Sequence, residues 1–260
     1  MNIKLKILNI LNNILNIINS EILNRIILKI FDKLKFRTNL WAFYICKGEI
    51  NNTSLQESKM IIPNPNEFWA DPFVFNYLNK NYIFFENYSY SKKKGKISYG
   101  IIQDDKFIFL GDCLEKDKHL SYPFIFQIRN KIFLIPETYE SKHLEIYVSK
   151  SFPDKWELFK VKFINEEIVD PTIFIDNLNN IWLFLNKKNE NDSSFTDLFL
   201  YKVEDEKFEN FIPHKLNPII SEKKNGRNAG RIFSINDKIF RPSQKNDSIY
   251  YGRGIKQLKS

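Results

Sequence analysis

The sequence predicts an all-β fold, a five-bladed β-propeller with an incomplete closing blade, preceded by an N-terminal amphipathic helical segment. Three observations predict it. The chain holds 24 Phe and 12 Tyr against 8 Gly in 260 residues, a composition of many short aromatic strands. A unit of about 50 residues recurs, and each copy contains strand-like runs in the same order. Each copy also opens on a related motif: Asp71-Pro-Phe-Val-Phe, Tyr122-Pro-Phe-Ile-Phe, Asp170-Pro-Thr-Ile-Phe and Ala229-Gly-Arg-Ile-Phe. An antiparallel sandwich would not explain a repeating strand order with related residues at the start of each repeat.

The elements follow in chain order, residues 1–37 as a helical extension and 38–260 as the propeller domain. In the extension Ile3, Ile7, Ile10, Ile14, Ile17 and Ile18 share one helical face, with Asn9, Asn12, Asn13 and Asn16 on the other. The pattern resumes from Ile22 to Leu34, with Arg25, Lys29, Lys33 and Lys35 opposite. Polar residues interrupt it too often for a membrane span, and no small-residue cleavage site follows. Two placements fit: a helix lying in a membrane interface with its basic face on anionic lipid, or a helical pair packed on the main domain or a partner chain.

Beyond Arg37, LWAFYICK and SKMIIP read as the third and fourth strands of a fifth blade. Four repeats follow. Their second strands are NKNYIFFEN, RNKIFLIPE, NNIWLFLNK and NDKIFRPSQ, and their third strands KISYGII, LEIYVSK, LFLYKVE and SIYYGRGI. Fourth strands are KFIFLGD, WELFKVKF and KFENFIPH. No blade buries both faces alone, so consecutive blades pack on one another. Closing the ring from both chain ends would need two more strands after YYGRGI; the closing blade is abbreviated, or the complete domain extends past this sequence.

Composition excludes several functions. The formal net charge of +8 rests on lysine in a chain rich in Asn and Ile, as AT-rich coding produces, so no nucleic-acid partner is expected. Cys46 and Cys113 make neither a disulfide framework nor, with the three His, a metal-ligand spacing. No metal or cofactor is expected, and a reducing compartment fits. In a propeller the first strands line the central channel, which brings Asp71, Tyr122 and Asp170 to one pocket at its mouth. The bland alternative is that Asp-Pro is a strand-initiating turn.

The blocks WADPFVF, YIFFENY, HLSYPFIF, IFLIPETYES, SFPDKW, DPTIF, Asn217-Pro218, RNAG, RPSQ and YGRGI run in this order over residues 41–255. They resemble the bacterial and plant domain at the N-terminus of glucosamine inositolphosphorylceramide transferase. That domain is similar to the five-bladed propeller of arabinanase, xylosidase, invertase and levansucrase glycosidases. Bacterial relatives are generally encoded among genes for surface polysaccharide synthesis. The resemblance therefore implies glycosyl transfer in cell-surface polysaccharide or glycolipid biosynthesis, on a sugar or glycan substrate with a phosphate-bearing donor. It places the chain in the cytoplasm, peripheral on the inner face of the cytoplasmic membrane through residues 1–37.

By the glycosidase match, Asp71 is the nucleophile or base, and Asp170 before Pro171 stabilises an oxocarbenium-like transition state. The pattern departs at the acid, because Gly226-Arg227-Asn228-Ala229-Gly230 opens the fourth repeat with no Glu. Glu137 is the preferred substitute, and Glu86, its counterpart in the first repeat, is assigned a structural role. Asn186 and Gln244 occupy the same position in the other repeats, so this row lines the pocket or forms a hydrogen-bonding belt between blades. Arg227 and Arg241 match RxAG and RPxQ of the family and are expected to clamp a phosphate leaving group, which needs no acid. Arg231 and Arg253 are expected in surface salt bridges. His119 either bonds a sugar hydroxyl, acts as a base or is structural; Trp69 either stacks on a pyranose or plugs the gap between blades. Three functions follow from these residues: a glycosyltransferase-like enzyme, a glycoside hydrolase, or a non-catalytic glycan-binding module.

Overall fold

The computed structural model describes residues 41–48, 58–64, 66–189, 194–222, 224–245 and 254–259. The helical pattern of residues 1–37 lies outside them. The described residues form five antiparallel sheets that follow one another along the chain. The first pairs β1 (Phe43–Ile45) with β2 (Lys59–Ile61). The second runs β3 (Glu67–Tyr77), β4 (Lys80–Ser89), β5 (Lys94–Gln103), β6 (Lys106–Leu114). The third runs β7 (Ser121–Ile128), β8 (Lys131–Glu137), β9 (Leu144–Ser151), β10 (Lys155–Lys162). The fourth contains β11 (Ile168–Ile175), β12 (Ile181–Lys187), β13 (Asp197–Val203) and β14 (Phe211–Pro213), with β15 (Ile220–Ser221) pairing β13. The fifth contains β16 (Phe233–Ile235), β17 (Lys238–Lys245) and β18 (Gly254–Lys259).

The all-β class and the repeating up-and-down order are as the sequence predicts. The third strand of the last repeat is Gly254–Lys259, in which Ile255 pairs with Gln244; it begins with the last two residues of SIYYGRGI, and the rest of that run lies outside the described residues. Local chemistry explains the hairpins. Leu78-Asn79, Asp104-Asp105 and Asn236-Asp237 all have positive φ and each fills a two-residue gap between paired strands. Consecutive positive-φ residues match the right-handed strand twist, and Asn and Asp tolerate them best.

Burial falls off from the inner to the outer strand of the third sheet, and the outer strands β6, β10 and β14 hold no buried residue. In β8 the residues Ile132 to Pro136 are all buried, since neighbouring sheets cover both of its faces. β6 and β10, by contrast, are largely exposed. Aromatic rings fill the wedge between the second and third sheets: Phe73 meets Tyr122 edge-on at 4.9 Å and Phe124 at 5.3 Å. Contacts of this kind add about 1 kcal/mol each to the burial of the rings.

Candidate active site

In the first three repeats the Asp-Pro or Tyr-Pro motif lies inside the first strand and not, as the sequence suggests, at its mouth. Pairing jumps from Ala70 to Phe73, from Ser121 to Phe124 and from Val169 to Thr172. At each jump one residue is left-handed: Asp71 at φ 50°, Tyr122 at φ 44° and Asp170 at φ 52°. The proline that follows has no N–H for the ladder, so a bulge is where a strand accommodates it. Left-handed backbone before proline is disfavoured by both the Cβ and the proline ring. Such strain persists only where the surroundings hold it, and that is typical of functional sites.

Groups from one sheet take up the N–H groups at the start of the next. The Tyr122 N–H donates to the Asp71 carboxylate. The Asp170 N–H donates to Glu137 Oε2 at 3.1 Å, and the Asn228 N–H to Asn186 Oδ1 at 2.9 Å. Glu86, Glu137 and Asn186 stand opposite Ala70, Ser121 and Val169, the residues just before each bulge. The row of polar residues is therefore both a belt between sheets and a cavity wall.

That cavity measures about 800 Å³ and is lined from all five sheets, among others by Phe43, Asp71, Tyr122, Asp170 and Gln244. Four carboxyl groups face it: Asp71, Glu86, Glu137 and Asp170. Arg227 joins them, its Nε 2.5 Å and its Nη2 3.4 Å from the two Asp170 oxygens, with Nη2 4.0 Å from Glu137 Oε2. Burial, then the Asp170 charge, pushes Glu137 up to about 8 against the opposing pull of Arg227 and the Asp170 N–H. The same two causes push Asp71 up to about 6, opposed by Arg227 and the Tyr122 N–H. Burial and the charges of Asp71 and Glu137 hold Glu86 well above the usual carboxylate range. At neutral pH the cavity thus holds a protonated Glu137 beside an ionised Asp71.

The remaining expected residues divide. His119, Tyr122 and Gln244 line the cavity; the Tyr122 hydroxyl bonds Thr172 Oγ1 and accepts the Gly230 N–H, each at 2.9 Å. Trp69 borders the cavity but does not offer a face for stacking. It is 7% exposed and enclosed by Phe43, Phe85, Phe107 and Phe109, so it plugs the gap between sheets. Its Nε1 and the Gln244 Oε1 are buried without a hydrogen-bond partner among the described residues.

Arg241 corrects the expectation of a phosphate clamp. It is 4% exposed, and its guanidinium bonds the Asn225 and Gly226 carbonyls and Asn228 Oδ1, tying down the loop that carries Arg227. Replacing it by Met would leave Asn228 Oδ1 buried without this donor and release the Asn225 carbonyl, while the Gly226 carbonyl keeps Asn186 Nδ2; a loss of roughly 2 kcal/mol is expected, read as a lower urea midpoint. Arg231 likewise makes no salt bridge among the described residues: it donates to the Ile125 carbonyl at 2.6 Å and lies 4.9 Å over the Phe124 ring. Arg253 lies outside the described residues. Glu86, assigned a structural role from the sequence, is in the cavity; its signal was its repeat equivalence to Glu137.

The family described as glucosamine inositolphosphorylceramide transferase 1, N-terminal, matches residues 48–260. The chain belongs to this family. Curated relatives named glucosamine inositolphosphorylceramide transferase 1 include one from Oryza sativa subsp. japonica, 34% identical over 207 residues, and one from Arabidopsis thaliana, 32% identical over 209. Each match covers 75% of this chain and 26% of the relative, so the chain spans about a quarter of their length. Among solved structures, a glycoside hydrolase aligns with TM-score 0.59 and 14% identity over 77% of this chain and 73% of the other. An exo-1,5-alpha-L-arabinanase from a bovine ruminal metagenomic library aligns with TM-score 0.57 and 9% identity, covering 78% of this chain and 82% of the other. A fructofuranosidase from Schwanniomyces occidentalis gives 0.57 at 11%, covering 73% and 43%. The described residues thus share the fold of these glycoside hydrolases.

Proposed function

We propose that the chain acts on a glycosidic bond and passes the sugar to a hydroxyl acceptor. Glu137 is the acid, Asp71 the nucleophile or base, and Asp170 the group that stabilises positive charge developing on the sugar. The observation that carries this reading is the division between two cavity carboxyls, Glu137 at about 8 and Asp71 at about 6. Glycoside cleavage needs one protonated and one ionised carboxyl in the same site. Arg227 is engaged by Asp170, so protonation by Glu137, and not a guanidinium clamp on phosphate, assists the leaving group. A glycoside or lipid-linked glycan is accordingly the favoured donor.

The cavity's walls from all five sheets support a ring closed by β1 and β2 as the fifth blade. The named transferase activity of the relatives supports a role in building a surface polysaccharide or glycolipid. The basic amphipathic pattern of residues 1–37 supports a place on the cytoplasmic face of a membrane.

A panel of p-nitrophenyl furanosides and pyranosides, offered with and without an alcohol acceptor, tests the reading. Nitrophenol release that requires Asp71, with the sugar recovered on the alcohol, is expected. Free sugar alone would make the chain a hydrolase. Glycan binding that survives Asp71→Asn, without release from any glycoside, would make it a binding module.

A further inference from the structure

Glu86 is the cavity carboxyl that this reaction leaves unused. Glu137 and Asn186, its counterparts in the next two sheets, are each committed to an N–H of the following sheet. In the second sheet Asp71 takes that part by accepting the Tyr122 N–H. Glu86 meets His119 instead, whose Nε2 lies 3.5 Å from Glu86 Oε1, just outside hydrogen-bond length.

The imidazole is held from behind. The Gly95 N–H donates to Nδ1 at 2.9 Å, and the His119 N–H donates to Glu140 Oε2 at 3.1 Å. Only glycine permits this approach, since a Cβ on residue 95 would stand 2.5 Å from the Leu120 carbonyl oxygen and 2.7 Å from His119 Cε1. With Nδ1 accepting, the neutral ring carries its proton on Nε2, toward Glu86. An imidazolium would need a proton on Nδ1 and would orphan the Gly95 N–H. Burial raises the hold of Glu86 on its proton, and the Asp71 charge on β3 adds to it, joined by Glu137 on β8 once that group ionises. Burial keeps His119 neutral against the opposing pull of Glu140.

We propose that Gly95 and His119 become a chain of donors to Glu86 when His119 closes on it around a bound sugar, and that this chain presents the Glu86 O–H to a hydroxyl oxygen of that sugar. The identity of the ligand rests on the glycosidic reading above. Each donor polarises the next, and a carboxylic acid kept neutral in a desolvated wall is a strong donor. Glu86 is therefore a specificity-determining contact, distinct from the acid Glu137.

Two variants and one spectrum test this. Glu86→Gln keeps an acceptor for His119 and a donor for the cavity; Glu86→Met keeps the volume and removes both. On the aryl glycoside released in an Asp71-dependent manner, Glu86→Gln is expected within about threefold of wild-type kcat/KM, and Glu86→Met lowered by roughly 30-fold, mainly through KM. Equal activity of the two variants would overturn the proposal. In the histidine-¹⁵N spectrum of the full chain, which holds only three His, His119 is expected neutral at pH 7 with its proton on Nε2, and to titrate below the ordinary histidine value. A proton on Nδ1, or titration near the ordinary histidine value, would overturn it as well. If the wild-type chain releases no glycoside, the glycosidic reading fails, and the spectrum still decides the donor chain.

Discussion

Glu137→Gln is expected to abolish turnover of glycosides with poor leaving groups while sparing activated aryl glycosides. Proton donation to the leaving oxygen contributes about 10²–10⁴-fold to such reactions, and an alkoxide leaving group needs all of it. Nitrophenolate leaves unaided, so its release is expected within about tenfold of wild type. The Gln side chain can still accept the Asp170 N–H that Glu137 Oε2 accepts, so the bulge backbone keeps its partner. Asp71→Asn should lose both classes of substrate. Parallel loss on both in Glu137→Gln would remove Glu137 from the role of acid.

Folding stability is expected to fall as pH rises from about 4 to 9, through the same carboxyls. Unfolded, Asp71 and Glu137 titrate near their model values of 3.8 and 4.5; folded, they hold their protons to about 6 and 8. Between those limits the folded chain binds more protons than the unfolded one. Its stability is therefore fully present below about pH 4 and is lost as pH rises through the folded values. Allowing for solvent access to the cavity, a loss of ~3 kcal/mol is expected, or roughly 6–12 °C in Tm. Glu137→Gln and Asp71→Asn should each flatten the dependence and raise Tm above pH 8. A profile that rises with pH in wild type would contradict the arrangement.

The site was legible where the repeat made it so. Aligning four motifs was enough to bring Asp71, Tyr122 and Asp170 together and to pair Glu137 with Glu86. It did not reveal which member of the polar row is free of backbone duty. That depends on Asp71 taking the Tyr122 N–H, a contact between sheets that no repeat position encodes. Arg227 and Arg241 were inseparable for the same reason. Both sit in motif-matching segments of one repeat, yet one reaches the carboxylates and the other is captured by the carbonyls of Asn225 and Gly226, just before Arg227. The motif marked the bulges as turns at a strand mouth, because Asp-Pro signals a break and says nothing of a left-handed residue inside a continuing strand. Trp69 was open between two roles, and the four phenylalanines around it, scattered over β1, β4 and β6, decide for packing.

The central claim is that one cavity holds a protonated Glu137 beside an ionised Asp71. Side-chain ¹³C carboxyl shifts, followed across pH and assigned with Glu137→Gln and Asp71→Asn, measure it directly. The account predicts a Glu137 carboxyl that titrates near 8 and an Asp71 carboxyl near 6, the latter shifting when Glu137 is replaced. Two carboxyls that both ionise below pH 5 would contradict it.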